Sequence, residues 1–444
     1  MRVTLSGAVV ALVALTLAAC SNASTGGGRS SKQTSTTATD APGTPNVASN
    51  GRFPPVDQPG VTPTEIRVSG VAAVTNPLGV KYASAFDGVQ AYFDMVNSEG
   101  GIYGRKLVLA NRHDDQLVAN RREVEAILDQ DHPFAVLPVA TVLFTGADLL
   151  AKAGVPTFGW NIQDEWAGPP NFFGHTGALC LSVDCASAAW PSIAYRFHKT
   201  RVAVLAYSVA QSANCLDMVE TSFKRYKSPA KVVFADKSLS FGVTDLSTDV
   251  KKMRDAKVDL VTTCMDANGM LTLAREMRQQ GLNAQMFLAN AYDPEFMARN
   301  AGFFEGAIVL VQEAPLETRP QFAALKSFVK WMDERGYAKN ENSLIGWVNA
   351  DEFVTGLRGA GPSFTRQKVV DALNQLTSYD AGGLIGPIDW TRQHTDKNYP
   401  LGCGAFLKVH DGKFVPVLGD PGKPFVCTRG VVTDVTRTSS FTRQ

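Results

Sequence analysis

Few residues of this sequence have the types and spacing that catalysis needs. The six histidines are scattered at positions 113, 132, 175, 198, 394 and 410, and no HExxH, GxSxG or phosphate-binding glycine motif occurs. Asp114 and Asp115 could act as paired carboxylates, but adjacent residues at a strand end point in opposite directions. We therefore interpret them as surface or structural acids. The sequence predicts no enzyme, no cofactor and no metal site.

A different chemistry is indicated by polar and aromatic residues that follow apolar runs. These residues are Thr75, Asn76, Thr141, Trp160 and Asn161 in the first part of the chain, and Tyr207, Asp266, Asn268, Asn290 and Tyr292 in the second. Hydroxyls, amides and a carboxylate on facing surfaces can exclude water and satisfy a small polar ligand on all sides. The pattern predicts a binding site for a small molecule.

Alternating strands and helices must position these residues. Apolar, β-branched runs predict strands at 65–71, 107–110, 134–139 and 155–159. Helical spacing of apolar residues predicts helices at 82–96 and 118–129, and a third helix that ends at residue 153. A second series predicts strands at 201–206, 231–235, 258–263, 285–289 and 307–311, with helices at 215–226 and 271–280. Such βαβ units form parallel sheets that bind ligands at the carboxyl ends of their strands. The predicted fold class is α/β, with two Rossmann-like lobes.

The last third of the chain is predicted to return to the first lobe and cross back. Helices are expected at 320–335, 343–359 and 366–376, and paired short strands at 403–416 with a tight turn at 410–413. The chain would then cross between the two lobes several times, and these crossing segments would form a hinge.

The amino terminus has the composition of an export signal. Arg2 provides a short, positively charged n-region, and residues 8–17 form an apolar core that is too short to span a bilayer. Residues 1–20 are therefore interpreted as a signal peptide. The end of this segment, Leu17-Ala18-Ala19-Cys20, resembles the lipobox of bacterial lipoproteins, which implies diacylation of Cys20 and cleavage before it. An ordinary secretory signal with an unrelated cysteine is the alternative. Two acyl chains would hold the protein durably on a membrane.

The composition changes after the signal. Residues 21–60 are rich in Ser, Thr, Gly and Pro and cannot bury a core, so they predict a disordered tether. No later stretch is apolar for long enough to span a bilayer. The net charge of +1 and the lack of a Lys/Arg run argue against a nucleic-acid partner. We expect a globular protein anchored to the outer face of the cell membrane.

Six cysteines remain when Cys20 is set aside, and an even number in an exported chain predicts disulfides. Many connectivities are open, and pairing of neighbours in order is favoured. The favoured pairs are Cys180 with Cys185, Cys215 with Cys264, and Cys403 with Cys427. A metal site or reactive thiol is the alternative, but zinc spacing is absent.

One stretch resembles a known family. Residues 97–107, followed by Asp114 and Asp115, resemble the opening of type I periplasmic binding proteins, the branched-chain amino acid receptors of ABC importers and their relatives. The resemblance runs from about Thr62 to Pro416, and residues 384–390 resemble the closing segment that crosses between lobes. We expect lobe 1 to comprise 61–177 and 315–385, and lobe 2 to comprise 178–314 and 386–428. Residues 429–444 are polar and are expected to form a loose tail.

The resemblance also implies roles at the site. In the amino acid receptors, hydroxyls and backbone N–H groups of the first lobe hold the ligand carboxylate, and an acid of the second lobe takes the ammonium. Thr141 stands at the hydroxyl position and Asp266 near the acid. This sequence differs from the family pattern at two places. Val142 and Leu143 stand where a run of Ser/Thr is usual, and Trp160 stands where a small residue is usual. We expect Trp160 and Tyr207 to sandwich the ligand, with core packing as the alternative.

The function expected from sequence is that of a lipid-anchored, monomeric solute-binding protein. It would capture an amino acid or a related amide or aromatic acid and deliver it to the permease of an ABC importer. A ligand-sensing receptor that controls a signalling partner is the alternative, and an exported enzyme is a third class.

Overall fold

The structure is a computed structural model that describes residues 52–175, 185–395, 403–428 and 441–443. Five parallel strands form the first sheet in the spatial order second, first, third, fourth, fifth. They are β1 Glu65–Ala72, β2 Lys106–Asp114, β3 Ala135–Ala140, β4 Thr157–Trp160 and β5 Phe172–His175. Burial on both faces explains why β3 and β4 are continuous apolar runs.

Helices cover the first sheet. Those between its strands are α1 Ser84–Ser98, α2 Asn120–Ala126 and α3 Ala147–Ala153, and a π-helical turn at Ile127–Asp131 follows α2. The Gly100-Gly101 signal ends α1 as predicted, since both glycines have positive φ values of 102° and 74°. The helix predicted from residue 118 begins instead at Asn120, because Val118 is exposed.

The described residues form nine strands of a second sheet. Its parallel strands are β6 Arg201–Tyr207, β7 Lys231–Leu239, β8 Leu260–Thr263, β9 Gln285–Leu288 and β10 Ile308–Val311. Its antiparallel extension is β11 Cys403–His410, β12 Lys413–Pro416, β13 Val426–Thr428 and β14 Phe441–Arg443. The spatial order is β14-β13-β11-β10-β9-β8-β6-β7, with β12 paired to β11. The sequence therefore predicted the fold class correctly.

Helices also flank the second sheet. They are α4 Ala189–Arg196, α5 Ala210–Arg225, α6 Ser247–Asp255, α7 Ala267–Gln279, α8 Pro294–Arg299 and α9 Ala301–Phe304. The sequence did not predict α4, α6, α8, α9 or β5. These elements are short, and α6 buries only three of its nine residues, so its apolar period is weak.

Four further helices follow β10. They are α10 Ala323–Arg335, α11 Glu341–Ala360, α12 Arg366–Leu373 and α13 Trp390–Gln393. The central one, α11, packs on α1, β3 and β4, as the predicted return to the first lobe requires. Two glycines permit this close approach. A Cβ on Gly88 would lie 2.0 Å from the Ser343 carbonyl oxygen, and one on Gly346 would lie 1.8 Å from that of Ala85.

Two of the predicted disulfides are present. Cys215 on α5 is bonded to Cys264 directly after β8, and Cys403 is bonded to Cys427 between β11 and β13. Cys185 is buried and disulfide-bonded, but Cys180 lies outside the described residues, so that pairing stays a prediction. The signal peptide with Cys20 and most of the predicted tether also lie outside the described residues.

The ends of the predicted folded part differ from the structure in two places. Residues 52–60, the end of the predicted tether, pack on the first lobe: the Phe53 and Tyr103 rings lie 5.7 Å apart, and Arg105 donates to the Pro54 carbonyl. At the other end, β14 lies within the predicted loose tail and pairs with β13.

Candidate functional site

A cavity of about 110 Å³ lies where the carboxyl ends of the two sheets face each other. Loops and strand ends of the first sheet contribute Leu78, Val80, Tyr82, Val142, Trp160 and Ile162. The second sheet contributes Tyr207, Val209, Gln211, Ser212, Cys215, Phe241, Cys264, Met265, Asp266, Ala289 and Asn290. The first turns of α11 add Glu341, Asn342 and Ile345. This is the position at which open α/β sheets bind their ligands.

Asp266 is held at the cavity wall by its own helix and by Tyr207. Its Oδ1 caps α7 by accepting hydrogen bonds from the Asn268 and Gly269 backbone N–H groups, at 2.8 and 3.0 Å. Its Oδ2 accepts a hydrogen bond of 2.8 Å from the Tyr207 hydroxyl. Burial raises the pKa of Asp266. Burial and the charge of Asp266 raise the pKa of Tyr207, so the phenol remains the donor.

Aromatic rings form much of the rest of the wall. Tyr82 and Trp160 lie with their ring centroids 6.5 Å apart, and Tyr207 lies 4.7 Å from Phe241. The Trp160 Nε1 is buried without a hydrogen-bond partner among the described residues. The pKa of Tyr82 is raised by burial and by the nearby charges of Asp266 and Glu341.

Glu341 is a wall residue that the sequence did not predict. Asn340 and Ser343 form a capping box that starts α11, and this places Glu341 in the first helical turn. Its side chain is buried, its Oε1 has no hydrogen-bond partner among the described residues, and burial and Glu313 raise its pKa. The N-x-x-S capping signal was present in the sequence, but the helix was predicted from Ser343.

The structure brings four of the predicted site residues together. Trp160, Tyr207, Asp266 and Asn290 all line the cavity, and the Asn290 Oδ1 is buried without a described partner. The other six predicted residues lie outside the cavity wall. They are Thr75, Asn76, Thr141, Asn161, Asn268 and Tyr292.

Hydrogen bonds inside each lobe occupy most of these six residues. The Thr75 backbone N–H donates to Asp114, and the Asn76 amide closes its own turn by donating to the Ala73 and Val80 carbonyls. The Tyr292 hydroxyl donates to Glu317 at 2.7 Å.

Thr141, expected to present a hydroxyl, points into the first lobe. It is buried, and its hydroxyl donates to the Val71 carbonyl at 3.4 Å. The next residue, Val142, takes its place in the wall. The Asn161 backbone N–H donates to the His175 carbonyl at the edge of the sheet.

Contacts across the cleft join the two lobes beside the cavity. The Asn268 amide donates to the Pro77 carbonyl at 3.0 Å, and the Gln211 amide donates to the Val142 carbonyl at 3.1 Å. Lys81 and Glu295 form an exposed ion pair at 2.6 Å. These contacts describe a closed arrangement of the lobes, and Asn268 contributes to it from outside the wall.

The serine and the cysteines of the cavity wall make bonds within the protein. Among the described residues that line the cavity there is no histidine to act as a base. The Ser212 hydroxyl accepts from the Tyr207 N–H and donates to the Cys264 carbonyl, while Cys215 and Cys264 are joined in a disulfide. The Ser212 hydroxyl and the two cysteine sulfurs are thus engaged in structural bonds.

A family comparison agrees with this geometry. A model of the family described as periplasmic binding protein matches residues 65–413, most of the chain. The chain belongs to the periplasmic binding protein family. No curated protein sequence matches it significantly. In the part of this periplasmic binding protein that the structure describes, no helix combines the length and apolar character needed to cross a membrane.

Three solved structures have a similar fold. A fatty acid ABC transporter substrate-binding protein from Thermomonospora curvata is 18% identical over 82% of this chain and 94% of its own, with a TM-score of 0.66. A branched-chain amino acid ABC transporter from Thermus thermophilus with bound valine is 18% identical over 80% and 96%, with a TM-score of 0.66. An ABC transporter solute-binding protein from R. palustris in complex with benzoate is 15% identical over 83% and 99%, with a TM-score of 0.63. At these identities the likeness shows the type I fold.

Proposed function

We propose that this periplasmic binding protein captures a small ligand between its lobes and presents the closed form to the permease of an ABC importer. The observation that carries the proposal is the cavity enclosed by groups from both sheets, with hydrogen bonds crossing beside it. A ligand that contacts both lobes favours the closed arrangement over the open one. Closure then gives the permease a shape to recognise.

The proposed binding residues come from both lobes. Trp160 of the first lobe and Tyr207, Asp266 and Asn290 of the second contact the ligand, and Glu341 joins them from α11. The support is that all five line one cavity whose volume suits a compact molecule.

Placement at the membrane is the second part of the proposal. Lipidated Cys20 and the stretch that follows it hold a monomeric protein outside the cytoplasm, close to the permease. The lipobox resemblance supports this placement. Replacing Cys20 with alanine is expected to release the protein from the membrane fraction of the cell, and continued retention there would contradict the anchor.

The function is tested by a ligand panel of amino acids, amines, amides and small aromatic acids. A captured ligand raises the melting temperature, because it binds the native state alone, and it reduces the radius of gyration measured by X-ray scattering. A compound that does both supports capture with closure. A compound that is converted to product during the measurement would indicate an enzyme, and no response across the panel would contradict the proposal.

A further inference from the structure

The cavity wall carries acidic and aromatic groups, and the described residues place no cation beside them. Half-buried Asp266 enters from the second sheet, and buried Glu341 enters from α11. None of the described residues that line the cavity is Lys, Arg or His. A ligand carboxylate would therefore meet two acids in a poorly solvated space with no positive side chain, which is unfavourable.

Two sets of groups expected to hold a carboxylate, at the start of α7 and at Thr141, are already used within the protein. The backbone N–H groups at the start of α7 donate to the Asp266 carboxylate, and the Thr141 hydroxyl donates to Val71 inside the first lobe. Apolar Val142 stands in the wall where a hydroxyl was expected. The wall thus lacks the anion-binding hydroxyl that the sequence led us to expect at this position.

A positively charged group of the ligand, by contrast, would meet favourable partners on several sides of the cavity. Tyr82 lines the same cavity as Asp266 and Glu341, and after burial the charges of these acids raise the pKa of its phenol. Tyr82, Trp160 and Tyr207 present aromatic surfaces that attract a cation electrostatically. Two buried acceptors in wall residues, the Asn290 Oδ1 and the Glu341 Oε1, have no hydrogen-bond partner among the described residues.

We infer that the ligand is a primary amine with a compact apolar or aromatic body and no carboxylate. This inference rests on the proposed capture function and names its ligand class. The two acids and the aromatic rings stabilise the ammonium, and its N–H donors can satisfy acceptors such as the Asn290 Oδ1 once the side chains adjust. A quaternary amine would supply no such donors. The cavity volume of about 110 Å³ limits the apolar body to a small one.

Matched compounds test the inference by calorimetry on the full chain. Benzylamine, benzyl alcohol and benzoate share one ring, and 3-methylbutylamine, leucine and 4-methylpentanoate share one branched body. We expect each amine to bind at least about tenfold more tightly than its uncharged or carboxylate counterparts, a difference of about 1.4 kcal/mol. Tighter binding of leucine, benzoate or 4-methylpentanoate would overturn the amine inference while supporting the capture function.

Isosteric variants show whether the acids supply the preference. Asp266→Asn keeps a helix cap and Glu341→Gln keeps its shape, so both are expected to fold, as a melting curve verifies. Each should weaken benzylamine binding about tenfold and change benzyl alcohol binding by less than about threefold. Glu165→Gln, at an exposed position away from the cavity, is the matched control and should change neither.

Two outcomes remain, and each is decisive. Equal losses for amine and alcohol in the variants would assign the acids a structural role and overturn the inference. Binding of none of these compounds would also overturn it, and the capture function would then be judged by the wider panel and its scattering measurement. The wild-type comparison stands even where a variant fails to fold.

Discussion

Trp160 combines a buried ring with an unsatisfied polar atom at the cavity. Its side chain is 6% exposed, and its Nε1 has no hydrogen-bond partner among the described residues. A buried donor without a partner is costly, and buried indole N–H groups usually find one. A small movement of the lobes on ligand binding would bring an acceptor to it.

Trp160 is therefore expected to report ligand binding. It is the one tryptophan among the described residues that line the cavity, so a captured ligand should change tryptophan emission, and Trp160→Phe should abolish that change. Trp160→Ala should also weaken binding by roughly tenfold, through lost aromatic contact. Trp331→Phe on α10 is the control and should leave the emission change intact. An unaltered affinity in Trp160→Ala would contradict contact with the ligand.

Buried charges also gather where the chain passes between the lobes. His175, at the end of β5, lies 2.7 Å from Glu313, which follows β10, and 3.9 Å from Glu352 on α11. Burial raises the pKa of Glu352 to about 7. For His175, burial lowers the pKa, but the hydrogen bond that its ring N–H donates to Glu313 and the charges of both glutamates outweigh burial, so the pKa is raised.

This cluster predicts that stability falls as pH rises. Both groups hold a proton more tightly in the folded than in the unfolded chain, so their contribution is full at low pH and falls as pH rises. The contribution of Glu352 is lost as pH rises through about 7. For Glu352 alone the loss between pH 6 and 8 is about 1 kcal/mol. Denaturant unfolding at several pH values should show it. The slope should flatten in Glu352→Gln, and an unchanged slope would contradict the assignment.

At the scale of elements, the contact between α1 and α11 ties the carboxyl-terminal part of the chain to the first sheet. Gly88 and Gly346 leave no side chain in this contact, and a methyl group at either would overlap a backbone carbonyl at about 2 Å. Backbone cannot move aside as a flexible side chain can, so the contact tolerates no substitution without separation of the helices.

Gly88→Ala and Gly346→Ala should each lower the free energy of unfolding by about 2 to 4 kcal/mol. Helix propensity alone would make alanine stabilising at both sites. A decrease in the free energy of unfolding would therefore identify the close contact as the cause. Gly302→Ala on α9 is the control, since its added Cβ would lie 3.5 Å from the end of Arg278, and a change under about 1 kcal/mol is expected. Denaturant titration measures all three, and a neutral result at Gly88 would contradict the packing.

At the scale of the whole molecule, some of the contacts that hold the lobes closed lie outside the cavity wall. Asn268 spans the cleft to Pro77, and Gly79 packs against its amide, where a Cβ would lie 2.4 Å from the Asn268 Oδ1. Gly79 also has a φ of 75°, which disfavours other residues. Binding energy and lobe movement are therefore coupled through residues that need not touch the ligand.

Asn268→Ala should weaken ligand binding by about fivefold, because loss of one hydrogen bond of about 1 kcal/mol shifts the equilibrium toward the open form. The ligand-bound radius of gyration should increase. Asn374→Ala is a matched control, since its amide donates to the Pro170 carbonyl at 2.8 Å, away from the cleft. An affinity loss as large in the control would show that closure is not the cause.

The sequence alone determined the alternation of strands and helices and the α/β class, because hydrophobic period and turn residues are local signals. It left the disulfide connectivity open, and two of the pairings it favoured are present. It also placed Trp160, Tyr207 and Asp266 at strand ends, where parallel sheets present ligand-binding groups. Thr141 has the same position in the chain, but the structure turns its hydroxyl inward to Val71.

Only the tertiary structure decided which of these polar groups line the cavity. Glu341 reaches it because α11 returns to the first sheet from more than a hundred residues downstream of β4, a distance over which no sequence pattern operates. Side-chain direction at a strand end depends on which hydrogen-bond partners lie nearby, and those partners come from other elements. The charge balance of the wall, two acids and no described cation, is likewise a property of the assembled fold.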